Sequence, residues 1–82
     1  MKILIILNSR FYTDEQNQER YNKNIEVDWT LPVLPNSNDI FDCDSIVDNM
    51  PEDESDLTWS VDFVCFKKIK SVITPILFLI GE

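Results

Sequence analysis

From Lys2 to Asn8 the chain reads KILIILN, apolar at nearly every position. A run of this kind suits a strand covered on both faces and central in its sheet. Ile25 to Leu31 (IEVDWTL) alternates instead, with Ile25, Val27, Trp29 and Leu31 on one face and Glu26, Asp28 and Thr30 on the other. That is the signature of an antiparallel strand buried on one side. Leu57 to Cys65 (LTWSVDFVC) repeats the alternation and places Leu57, Trp59, Val61, Phe63 and Cys65 inward. Val64 and Phe66 interrupt its polar face, so something is expected to cover them. Val72 to Ile80 (VITPILFLI) is again apolar on both faces, and Pro75, which has no N–H for a ladder, is expected at an edge or a bulge. Lys67 to Ser71 is read as the hairpin turn between these last two strands.

Between the strands the pattern is polar. Arg10 to Asn24 has only Tyr21 as an apolar contact within it, and Thr13 with Gln16 has capping-box spacing, so it is expected to be a solvated arm or a marginal helix. Pro32 and Pro35 bracket a turn that Asn36 to Asn38 extend, and Asp39 to Asp42 adds a short strand. Ser45 to Met50 is expected to form one or two helical turns ended by Pro51, with Ile46, Val47 and Met50 toward the sheet. The resulting expectation is a single domain over residues 1–82, α+β but mostly β. It would be a small antiparallel sheet of about four strands with one short helix after the Pro32 to Asn38 turn region.

The two doubly apolar strands need cover on both sides. A homodimer would supply it, face to face or by edge pairing through the C-terminal strand. Alternatively, the 10–24 arm or the 39–51 segment folds across the second face, and one chain suffices.

Charge changes this picture most. Of 82 residues, 15 are acidic and seven basic, giving a net charge of -8. The 43 residues between Lys23 and Lys67 hold eleven acids and no base. Seven of those acids, Asp42, Asp44, Asp48, Glu52, Asp53, Glu54 and Asp56, fall within fifteen residues. A field of this sign steers basic partners and repels phosphates, so no direct nucleic acid binding is expected. The acids read either as a solvated loop that keeps an apolar chain soluble or as a surface for a basic protein, in the manner of a DNA mimic. An EF-hand fails, because Val47 stands where the sharp turn needs Gly, and only a weak, irregular calcium site would remain.

Catalysis finds no support. The chain has no His, its one Gly is Gly81, and neither Cys43 nor Cys65 has a base nearby in sequence. No catalytic residue, cofactor site or metal site is assigned. The two cysteines are read as reduced, partly buried thiols in a cytoplasmic protein, and Trp29 and Trp59 as core residues. No stretch approaches the roughly 20 apolar residues of a spanning helix, so no membrane partner is expected. Phe, Tyr, Met, Ile, Asn and Lys total 31 residues and Ala is absent, a bias that fits a low-GC microbe or one of its mobile elements.

The functional expectation is a small non-catalytic binding or regulatory protein. Its sharpest form is an inhibitor or adaptor that engages a basic, nucleic-acid-handling protein through the seven acids named above. The rival is a structural or accessory subunit that self-associates, or completes a sheet in a larger assembly, through its apolar strands.

Overall fold

The computed structural model describes residues 1–22, 24–47 and 57–82. Its elements are β1 (Lys2–Ser9), α1 (Asp14–Asn22), β2 (Ile25–Asp28), β3 (Ile40–Phe41), α2 (Cys43–Ile46), β4 (Trp59–Ile69) and β5 (Val72–Gly81). All five strands form one sheet in the order β2-β1-β5-β4-β3. The mostly-β expectation holds, but the sheet is mixed rather than purely antiparallel. β1 and β5 run parallel, from Leu4 beside Ile76 to Ser9 beside Gly81, while every other pair is antiparallel. β5 is therefore the central strand. Over Ile76–Gly81 it is flanked on both sides, so edge pairing through the C-terminal strand has an open side only at Val72–Pro75, where β1 does not reach.

One face of the sheet carries the main core. Ile3, Ile5 and Leu7 of β1 and Leu77 and Leu79 of β5 pack there with Trp59, Val61, Phe41, Cys43 and Val47. The β2 alternation places Ile25 and Val27 against them as expected, and Trp29 continues the face after the strand ends. Trp29 stacks on Phe41 at 6.2 Å and its indole N–H donates to the Val33 carbonyl at 2.8 Å. Leu31, expected inward, is exposed, because β2 ends at Asp28, opposite Lys2.

The opposite face is smaller. Leu4, Ile6 and Ile76 are buried there, with Ile69 and Phe78 packed around them. The helix α1 serves this face although it has no apolar stripe. Thr13 and Gln16 form the reciprocal capping box, Thr13 N–H to Gln16 Oε1 at 2.9 Å and Gln16 N–H to Thr13 Oγ1 at 3.2 Å. Asp14 and Glu15 in the first turn and Arg20 in the last complement the helix dipole. Asn17 then grips Ser9, accepting from its N–H at 3.2 Å and donating to its carbonyl at 3.3 Å. Tyr21 packs on Phe78, with ring centroids 6.1 Å apart. Over the stretch that β1 and β5 share, both faces thus find cover within one chain, whereas Val72 and Ile73 near the turn are exposed.

The β4 strand departs most from its expected pattern. The register jumps between Val61, opposite Leu79, and Phe63, opposite Phe78, so Asp62 is an extra, bulged residue. Everything after it changes face. Phe63 moves to the second face, where it stacks on Phe78 at 4.3 Å, and Cys65 follows it and is exposed. Val64 takes their place against the main core, while Phe66 stays exposed. The cysteines are therefore unlike one another. Cys43 is buried and Cys65 is open to solvent.

The hairpin turn is tighter than expected. Ile69 pairs Val72, leaving only Lys70 (φ 50°) and Ser71 (φ 68°) in a two-residue turn of the primed kind. Counting back from that turn, Phe66 opposite Pro75 is a non-hydrogen-bonded pair, so the Pro75 nitrogen faces the β1 side. The β1 ladder begins one residue later, at Ile76. Pro75 thus sits at a local edge of a strand that becomes central one residue later, as its missing N–H leads one to expect.

Near the other end of β5, Gly81 is required by a close approach. A methyl group there would lie 2.8 Å from the Trp59 ring and 3.0 Å from Leu57. Gly81→Ala is expected to lower stability by about 1–3 kcal/mol through overpacking, measured as a lower urea midpoint at unchanged slope. The bulge gives a second expected outcome. A thiol reagent should modify Cys65 in the folded protein at the rate of a free thiol, and Cys43 only as fast as the domain opens. Equal protection of both would restore uninterrupted alternation along β4.

Candidate partner-binding site

The acids proposed as a partner surface divide into two groups. Asp48, Glu52, Asp53, Glu54 and Asp56 lie outside the described residues. Asp42 and Asp44 stand at the beginning of α2, both exposed, on either side of buried Cys43. This alternation follows from the short helix. Cys43, Ile46 and Val47 turn toward the core, which leaves residues 42 and 44 facing water. The expected helix at Ser45 to Met50 starts two residues earlier, and Met50 is outside the described residues.

Asp42 has local work. It is the N-cap residue of α2, its carbonyl receives the Ser45 and Ile46 N–H groups at 3.2 Å, and its carboxylate accepts from the Ser45 hydroxyl at 2.8 Å. Asp44 makes no such bond among the described residues. Asp39 belongs to the turn before β3, where its carboxylate accepts from the Asn36 N–H at 2.7 Å and its own N–H returns to the Asn36 carbonyl at 3.1 Å. Asn38, at φ 73°, donates its N–H to the Val61 carbonyl at 2.7 Å, and Val61 N–H donates to the Asp39 carbonyl. These bonds tie the turn to β4 beside the bulge.

Asp42 and Asp44 also line a cleft of about 330 Å³ with Ile40, Phe41, Cys43, Leu57, Thr58 and Trp59. Ile40 matters most here, because it is 73% exposed on the edge strand β3 between Asp39 and Asp42. An exposed aliphatic side chain framed by carboxylates combines an apolar anchor with a charged rim. The residue was not singled out from sequence. Its neighbour Phe41 is buried, and two residues are too few for alternation to show which of them faces out.

The sheet also fixes where the charges stand relative to one another. Asp42 follows Phe41, which pairs with Trp59 at the start of β4, whereas Lys67, Lys68 and Lys70 lie at the other end of β4. A ten-residue strand such as β5 spans about 33 Å. The hairpin lysines therefore stand at the opposite end of the sheet from Asp42 and Asp44, whereas Glu26 lies near Lys70 and pairs with Lys2, and Asp28 pairs with the N-terminal amine. Among the described residues no group of three or more His, Cys, Asp or Glu side chains is arranged to hold a metal ion.

Asp39→Ala is expected to cost about 1 kcal/mol, since the Asn36 N–H loses a charged acceptor, whereas Asp44→Asn should stay within about 0.5 kcal/mol. Urea unfolding of the two variants separates an acid that builds the turn from one that is only displayed. No protein-family model matches the chain, and neither a curated protein nor a solved structure is detectably similar to it.

Proposed function

We propose that this chain is a small acidic, non-catalytic binding or regulatory protein, an inhibitor or adaptor that engages a basic protein surface at its acidic end. The observation that carries this reading is exposed Ile40 framed by Asp42 and Asp44, at the end of the sheet away from the hairpin lysines. Rim carboxylates accelerate encounter with a basic partner, and a central apolar contact slows its release. Glu52, Asp53, Glu54 and Asp56 extend the acidic surface in sequence and are part of the same proposal. A nucleic-acid-handling protein is the natural class of partner, because its groove already selects closely spaced negative charge.

Sheet completion by an accessory subunit is the weaker reading. The two edge strands, β2 and β3, have four and two residues, and short edges of this kind limit added pairing.

The test is a pull-down of tagged protein from the source cell, washed in parallel at low and high salt, followed by variants against the partner recovered. Asp42→Asn with Asp44→Asn should reduce the association rate several-fold and flatten its salt dependence, and Ile40→Ser should chiefly raise the dissociation rate. Replacing Glu52, Asp53, Glu54 and Asp56 with Gln or Asn should weaken binding further. A partner that withstands high salt and is indifferent to all these changes would overturn the proposal.

A further inference from the structure

The far end of the β4–β5 hairpin combines two features that rarely meet on an inert surface. Phe66, Val72 and Ile73 are 62%, 63% and 69% exposed. Lys67, Lys68 and Lys70 are exposed beside them, and none forms an ion pair among the described residues. The β1 ladder reaches only to Ile76, so from Phe66 to Pro75 the two strands pair with each other beyond the last rung shared with β1. The tip is a two-stranded ribbon at the limit of the sheet.

The register divides its side chains between both faces. Phe66 opposite Pro75 and Lys68 opposite Ile73 share the face of Leu77, while Val72 lies on the opposite face with Lys67 and Thr74. A folded partner with a flat surface would cover one face and leave the other wet. A medium that surrounds the tip covers both.

We infer that this hairpin tip is a peripheral docking element for an anionic lipid bilayer. Phe66, Val72 and Ile73 enter the interface between headgroups and acyl chains, and Lys67, Lys68 and Lys70 meet the anionic headgroups. The absence of a spanning helix does not bear on such a contact, which needs only a small apolar tip with basic flanks. The net charge of -8 does not prevent it either. Asp42 and Asp44 lie at the opposite end of strands about 30 Å long, several times the Debye length of about 8 Å at physiological ionic strength. The basic end therefore meets a bilayer largely screened from Asp42 and Asp44, and the nearer acids Glu26 and Asp28 are each paired with a cation, Lys2 and the N-terminal amine, so docking by the tip leaves Asp42 and Asp44 directed away from the membrane.

The test is flotation of the full chain with phosphatidylcholine vesicles, with and without phosphatidylserine, near physiological salt. Binding is expected only with phosphatidylserine. Lys67→Gln, Lys68→Gln and Lys70→Gln together should weaken it about a hundredfold, from about fivefold per lysine near an anionic surface. Phe66→Trp, a conservative change at an exposed position, should keep binding and give a blue-shifted emission that brominated lipid quenches. Asp42→Asn with Asp44→Asn should leave vesicle binding unchanged, so failure here is separable from failure of the acidic-end proposal. Lack of binding to phosphatidylserine vesicles, or equal binding to both kinds, would overturn the inference. So would preference of the tip for a single-stranded oligonucleotide, or a light-scattering dimer abolished by the lysine changes.

Discussion

Leu4 to Ser9 lie alongside Ile76 to Gly81 in parallel, and the other elements are arranged around that contact. It joins the two most apolar stretches of the chain at the centre of the sheet, so that each has a sheet neighbour on both sides. From it follow both cores. Ile3, Ile5, Leu77 and Leu79 are nearly or fully inaccessible on one face, and Leu4, Ile6 and Ile76 form the nucleus of the other. The pairing extends to polar groups as well. The Ser9 hydroxyl donates to the Gly81 carbonyl at 2.8 Å in a buried position, and Asn17 holds the helix to the backbone of the same Ser9. Loss of this contact would leave a β1–β2 pair and a long β4–β5 hairpin, neither with a complete core.

Sequence pattern identified the strands better than their arrangement. Doubly apolar β1 and β5 were legible as central strands, and β2 as a one-sided strand, because burial on two faces or one leaves a direct trace in side-chain type. Parallel pairing leaves no such trace, since a strand buried on both faces looks the same in either direction. The bulge at Asp62 was hidden for a related reason. Residues 63–66 read Phe-Val-Cys-Phe, apolar at every position, so either parity satisfies the alternation and the simpler one was expected. The capping box of α1 was visible, but its docking through an asparagine amide is a tertiary contact that periodicity cannot express.

The acidic site was legible only as charge. Spacing does not reveal that Asp39 secures a turn, that Asp42 begins a helix and binds Ser45, or that Asp44 is merely displayed. Nor does it reveal Ile40. Three carboxylates close in sequence serve three physical roles, and backbone geometry separates them. The hairpin was legible but its length was not: a five-residue turn was expected where two residues suffice, and pattern alone did not show that Phe66, Val72 and Ile73 lie beyond the reach of β1.

The parallel contact also sets an order of events during synthesis. Residues 4 and 76 are neighbours in the sheet but 72 positions apart in the chain, and at about 5–20 residues per second the ribosome needs roughly 4–14 s to make what lies between them. Throughout that interval Ile3 to Leu7 is a β-prone apolar segment without its main neighbour, and once Asp28 has been made only the four-residue β2 can flank it. The stretch that centres the finished sheet is thus the stretch a nascent chain must shield longest.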